Sequence, residues 1–144
     1  MTEKNVRVGV GVFVIREGKF LMGLRKGSLD AGKWGLPGGH LEWKEEWDVC
    51  GCREITEESG CKIANIRFLS VTNDIFKEEN KHYVTLFLTS DWVSGEPEVK
   101  EPDKCEKWDW FTFTDLPDNL SLPIKNLVEG RKHSHELMSE RRSN

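Results

Sequence analysis

Between Gly39 and Cys61 the chain carries seven acidic residues (Glu42, Glu45, Glu46, Asp48, Glu54, Glu57 and Glu58) against two basic ones, Lys44 and Arg53. No other segment constrains the fold as tightly. Trp47 to Ser59 has helical character and stops at Gly60, a residue suited to the left-handed turn that closes helices. On a helix advancing about 100° per residue, Glu54, Glu57 and Glu58 share an arc of about 100°. Val49, Cys52 and Ile55 fall between about 100° and 220° from Glu54 and are expected to pack on a core. Glu57 and Glu58 are thus both expected on an exposed face, where Gln in place of either leaves the fold intact. Arg53 stands one turn before Glu57 and can pair with it.

Carboxylates at i, i+3 and i+4 repel, so the cluster needs something to offset it. Hard divalent cations do this through oxygen ligands; Mg²⁺ typically takes one or two carboxylates, waters and substrate phosphates. Glu45, before the helix, is a further acid that can reach the same place. On the helix alone, a metal-binding face and a solvated acidic face are both open.

The remaining elements follow from patterning. Val6 to Ile15 reads as a strand, Glu17-Gly18-Lys19 as a turn, and Phe20 to Leu24 as a second strand. Residues 25 to 39 form a Gly-rich loop, and long loops in compact domains tend to be functional. Ile66 to Val71 and Tyr83 to Thr89 read as strands separated by a polar connection, Asn73 to Lys81. Ser94 to Lys104 is a loop. Trp108 to Phe113 alternates as a half-buried strand should, which puts Trp108 and Trp110 on one sheet face and favours core packing for both. Leu122 to His133 reads as a second helix; residues 1 to 5 and the polar tail 134 to 144 are expected to fray. Strands, helix, strands, helix suggest an α/β (α+β) fold, a mixed sheet sandwiched between helices. The 144 residues suit a single domain.

Six Trp and seven Phe oppose disorder. The net charge of −4 argues against extended nucleic acid and anionic membranes as partners. That charge is local: outside residues 39 to 61 the chain has 18 acids and 19 basic residues. The four cysteines lack zinc or redox spacing and read as reduced, mostly buried thiols of a cytoplasmic protein. No segment approaches the ~20 apolar residues of a membrane span.

Gly39, Glu45, Arg53, Glu54, Ile55, Glu57, Glu58 and Gly60 match Gly-x5-Glu-x7-Arg-Glu-U-x-Glu-Glu-x-Gly-U, with U bulky and apolar and Cys61 in the last position. Seven fixed positions match by chance at a rate on the order of 10⁻⁹ per start point. On this motif the sequence resembles the Nudix hydrolases, Mg²⁺-dependent pyrophosphohydrolases of nucleoside diphosphate derivatives. Lys44 stands where that family usually has glycine. Trp34 to Gly39 is similar to the family's lead-in loop. Val8 to Val12, Leu24 to Ser28, Pro37 to Trp43, His82 to Val84 and Glu101 to Glu106 resemble the MutT-related diphosphatases that accept guanine triphosphates, oxidised or thio-substituted ones included.

The resemblance implies the Nudix fold over about residues 6 to 117. It implies Glu54, Glu57 and Glu58 as metal ligands, with the Gly38 carbonyl and Glu106 as further ones, for Mg²⁺ or Mn²⁺. Arg53 would orient Glu57. Glu54, Glu58 and Glu106 stay open as the general base; Glu101 is less favoured because it precedes Pro102. Arg25 is the expected phosphate contact, as its planar fork suits phosphate oxygens. Lys26, Gly39, His40 and Tyr83 join it as candidate substrate contacts, Tyr83 being equally open to a dimer contact or core packing. At the base pocket, Ser121-Leu122-Pro123 stands where relatives have an aromatic pair; Leu122 can flank a purine, and Trp34, Trp108 or Trp110 can supplement it.

The function implied is cleavage of a nucleoside triphosphate, of dGTP or 8-oxo-dGTP type, to monophosphate and pyrophosphate, as nucleotide-pool sanitation. ADP-ribose, a dinucleotide or an mRNA cap is the alternative substrate, and a catalytically silent nucleotide-binding module the alternative class. A homodimer is expected from the resemblance alone.

Overall fold

The computed structural model describes residues 4–27 and 29–130. The expected helix end at His133, the tail from Ser134 and the first three residues lie outside the described residues. The elements are β1 (Val6–Arg16), β2 (Lys19–Arg25), β3 (Trp34–Gly35), β4 (Gly38–His40), α1 (Trp47–Ser59), β5 (Lys62–Phe76), β6 (Lys81–Ser94) and β7 (Cys105–Phe111). A second helix, α2, runs over 122–130.

One mixed seven-stranded sheet is formed, ordered β3-β2-β1-β6-β5, with β4 added to β1 and β7 to β2. β1 and β6 are parallel, and the other pairings are antiparallel. Alternation along β1 builds two cores, because successive side chains point to opposite faces. Val10, Val12 and Val14 pack with Leu88 and with Cys50 and Ile55 of α1. Phe13 turns to the other face and joins Phe20, Met22, Phe87 and Ile124 and Leu127 of α2. Each such side chain, fully buried, contributes roughly 1.5–3 kcal/mol. The sheet is therefore covered by one helix on each face, as the element order suggests.

β1 and β2 pair only at their hairpin end, Ile15 with Phe20 and Arg16 with Lys19. Beyond it β4 occupies the edge of β1, pairing Gly38 with Gly11 and His40 with Gly9. This insertion opens a cleft in the sheet. Glycine is required for it: a Cβ on Gly38 would overlap the Val10 carbonyl oxygen, which is backbone and cannot yield. Gly38→Ala is expected to cost about 3 kcal/mol or more, read as a fall in the thermal unfolding midpoint.

Several boundaries differ from the sequence reading. The connection expected at Asn73 to Lys81 is strand up to Phe76, and the turn spans only 77–80. Irregular pairing near Lys62, between Ala64 and Arg67, and between Phe68 and Ser70 breaks the alternation of β5 and hides its length. The loop at 25 to 39 contains β3 and β4. The last strand ends at Phe111 rather than Phe113.

The buried face of α1 also differs. Cys50, Gly51, Ile55 and Ser59 are buried, whereas Val49 and Cys52 are exposed. The reason is close packing: a Cβ on Gly51 would lie 3.2 Å from Val12 and Leu88 side chains, so the helix meets the sheet there. Glu58 projects from the seam beside Ile55 and is partly buried, while Glu57 stays exposed. The helix ends at Gly60, whose φ of 78° is left-handed and whose N–H bonds the Thr56 carbonyl.

Candidate active site

A cleft of about 680 Å³ opens where β4 inserts. It is lined by the acids Glu54, Glu58 and Glu101 and by the cations Arg25, Lys26 and Lys104, with Lys104 paired to Glu101 at 3.4 Å. Phe76, Tyr83, Thr85 and Phe87 line its aromatic part, with Gly9, Gly11 and Ile124. Gly38, Gly39 and His40 line it as well.

Glu58 reaches through the seam to Gly38, whose N–H donates to its Oε2 at 3.1 Å. Burial pushes the Glu58 carboxyl up to about 8; the Gly38 N–H opposes this, while Glu54 and Glu101 add to it. Glu54 packs against Gly39, where a Cβ would collide with its carboxylate. Burial raises the Glu54 pKa also, against the opposing Arg53 charge.

Arg53 organises the acids. Its Nε and Nη2 donate to Glu45 at 2.8 and 3.1 Å, and Nη1 donates to Glu54 at 2.8 Å. Glu57 and Glu42 lie farther, at 3.5 and 3.6 Å. Arg53 pairs with Glu57 one turn on, as expected, but Glu45 and Glu54 hold the shorter bonds, and Glu57 is 54% exposed. Glu45 does not line the cleft. Its side chain, 9% exposed, is turned to Arg53, whose hydrogen bonds hold its carboxyl at about 2.

Arg25 ends β2 in the cleft, its Nε donating to the Leu29 carbonyl at 3.2 Å. The His40 and Tyr83 rings stack at 5.4 Å, with His40 Nε2 and Tyr83 Oη 3.1 Å apart. Burial, with the charges of Arg7 and Lys104, lowers the His40 pKa, which favours the neutral ring. Glu106 is exposed and away from the cleft, and Glu101 lines it instead. Pro123 and Ile124 line the cleft rather than Leu122. Trp108 lines it as well as packing on the core; Trp110 packs on the core, and Trp34 meets Phe111 edge-on at 4.9 Å.

Two buried carboxylates went unnoticed in the sequence. Asp30, at the loop, accepts from Ser121 Oγ and the Leu122 N–H, both at 2.8 Å, and so caps α2. Asp74, fully buried on β5, accepts from Thr72, Thr85 and Asn126. An Asp inside a Gly-rich loop signals such capping; nothing in the β5 sequence marks Asp74 as buried.

All the acids here offer oxygen, the donor set of a hard divalent cation. Burial is the main cause that raises the Glu58 and Glu54 carboxyls, and neighbouring acids add to it. Among the described residues, however, no three His, Cys, Asp or Glu side chains already converge on one metal position. Glu54 is engaged by Arg53 and Glu58 by Gly38. The donors fit the ion in chemistry, and each of the two carboxylates is engaged through one oxygen.

A family model described as the NUDIX domain matches residues 5–133. The chain belongs to the Nudix family. A MutT NUDIX hydrolase from Burkholderia pseudomallei, solved by crystallography, is 39% identical, covers 82% of this chain and 92% of its own, and superposes with a TM-score of 0.76. The oxidized purine nucleoside triphosphate hydrolase of Danio rerio is 31% identical over 112 residues, 74% of this Nudix chain and 66% of the relative. The NAD-capped RNA hydrolase NudC of Pseudomonas aeruginosa is 27% identical over 132 residues, 92% of this chain but 44% of NudC. The Nudix chain thus spans less than half the length of that relative. No helix among the described residues is long and apolar enough to cross a membrane.

Proposed function

We propose that this Nudix protein is a divalent-metal-dependent pyrophosphohydrolase that cleaves a nucleoside triphosphate of guanine type to monophosphate and pyrophosphate. One observation carries the reading: one cleft is lined together by Glu54 and Glu58, by Arg25, Lys26 and Lys104, and by Phe76, Tyr83 and Phe87. That set of acids, cations and rings fits metal, polyphosphate and base. The near-neutral remainder of the chain disfavours a long RNA. The likeness to the oxidised purine nucleotide hydrolase supports the purine class, and the likeness to NudC keeps NAD-type dinucleotides in the panel of substrates.

Glu54, Glu57, Glu58 and the Gly38 carbonyl would hold Mg²⁺ or Mn²⁺. Such an ion, when bound, neutralises phosphate charge and makes water a better nucleophile. The remaining work belongs to the chain. Arg25 and Lys26 take phosphate oxygens, Arg25 in a bidentate fork. Glu58 or Glu54 takes a proton from the attacking water, and a carboxyl raised toward neutrality suits that role. Glu45 and Arg53 position Glu54 without touching substrate. His40 and Tyr83, stacked and mutually bonded, border the nucleoside.

Pyrophosphate release is the test. Purified protein with Mg²⁺ is expected to turn over guanine nucleotides faster than ADP-ribose or NAD-type dinucleotides, and excess EDTA is expected to stop it. No turnover of any member would refute the enzyme reading, and a clear preference for a dinucleotide would refute the substrate class.

A further inference from the structure

Beside the aromatic end of the cleft lies a polar group that the reaction above does not use. Asp74 is fully buried. Thr85 Oγ1 donates to its Oδ2 at 2.5 Å and Thr72 Oγ1 to the same oxygen at 3.1 Å. Asn126 of α2 donates to Oδ1 at 3.0 Å. Thr85 is paired with Gly9 across β1 and β6, so no side chain stands between it and the cleft on that strand. It lines the cleft beside Tyr83 and Phe87.

A hydroxyl has one hydrogen and two lone pairs, and a carboxylate only accepts. With its hydrogen committed to Asp74, Thr85 meets a ligand as an acceptor alone. Ser121, another cleft residue, is in the same state: its hydroxyl donates to Asp30 Oδ2 at 2.8 Å. The cleft therefore offers lone pairs from two hydroxyls, both fixed by buried carboxylates.

We propose that Thr85, polarised by Asp74, determines base specificity by accepting a hydrogen bond from a ring N–H, and so selects 6-oxopurines over adenine. Guanine and hypoxanthine carry a hydrogen on the ring nitrogen beside the 6-oxo group. The corresponding nitrogen of adenine carries a lone pair, which would face the Thr85 lone pair with no proton between them. A buried polar atom left without a partner is costly, so the mismatch disfavours adenine. Asp74 acts through Thr85 and is a positioning residue. This rests on the nucleotide reading above and adds the feature of the base that is recognised.

The test compares kcat/KM for dGTP, dITP and dATP with Mg²⁺. The wild-type protein is expected to favour both 6-oxopurines over dATP by about tenfold or more, the scale of one well-placed hydrogen bond. Thr85→Val keeps the shape and removes the acceptor; the dGTP/dATP and dITP/dATP ratios are expected to collapse toward one. Thr85→Ser restores the hydroxyl and is expected to restore both ratios. Asp74→Ala, which removes the acceptor and frees the Thr85 hydrogen, is expected to reduce them as well; if it does not fold, the two Thr85 variants still decide. Unchanged ratios in Thr85→Val, or a wild-type protein that turns over all three equally, would overturn this proposal while leaving the hydrolase reading standing. Absence of any wild-type turnover would remove both.

Discussion

Glu58→Gln is expected to lower kcat by about 10³-fold, within the range for loss of a positioned acid–base group. The substitution keeps size and shape but removes the charge that would hold the metal and the base that would take the proton. Its effect on stability runs the other way. In metal-free protein the Glu58 carboxyl stands at about 8 against an ordinary 4.5, because burial penalises its charge. The folded state therefore holds a proton that the unfolded chain releases. The resulting stabilisation is complete below pH 4.5 and is lost as pH rises through 8, on the order of 5 kcal/mol by linkage. Glu45 acts at the opposite end: with its carboxyl at about 2, its contribution is present above 4.5 and lost as pH falls through 2. Between pH 5 and 8, metal-free wild-type protein is expected to lose thermal stability, and Glu58→Gln to flatten that slope. Mg²⁺ should stabilise the wild type more at pH 8 than at pH 5. A variant with full activity, or with the wild-type slope, would remove Glu58 from the site.

Arg53→Ala is expected to reduce kcat or metal affinity by roughly 10- to 100-fold, the cost of losing a group that orients ligands. One guanidinium holds Glu45 and Glu54 by short hydrogen bonds and approaches Glu57 and Glu42. Without it Glu54 loses its fixed direction, and the partly buried Glu45 loses its countercharge. Arg53→Lys should recover little, since an ammonium has no planar fork with which to serve two carboxylates at once. Metal titration by calorimetry separates the affinity component from kcat, and a lysine variant with wild-type values would contradict the forked arrangement.

The acids of α1 are legible because Gly39, Glu45, Arg53 and Gly60 stand at fixed spacing around them; helical spacing alone leaves a solvated face open. The face they occupy was less so. Val49 and Cys52 look apolar on paper, yet Gly51 sets the contact with the sheet, and a glycine gives no hydrophobic signal. That shift rotates Glu58 into the protein and leaves Glu57 outside. The long strands β5 and β6 were read short because irregular pairing interrupts the period of two, and because Thr72, Asn73 and Asp74 look like a loop. They are strand residues whose polar groups bond sideways to Thr85, His82 and Asn126. Glu101 was set aside on its proline neighbour, a local argument that long-range folding overrides.

The splay between β1 and β2 also governs where this chain tolerates changes in length. Past the hairpin, the strip from Trp34 to His40 crosses from β3, paired with β2, to β4, paired with β1; Leu36 and Pro37 make the crossing, and the Pro37 carbonyl already accepts from the Val12 N–H. An added residue at 77–80 lengthens a surface turn and displaces nothing in the cleft. One added between Gly35 and Gly38 slides the glycine pair by a residue, and in a strand that step exchanges the two faces. The place of Gly38, which bonds Glu58, would then carry a side chain against the Val10 carbonyl. Insertions and deletions should thus be absorbed at the far turns and refused across this crossing, so that its length is as much a part of the site as any acid.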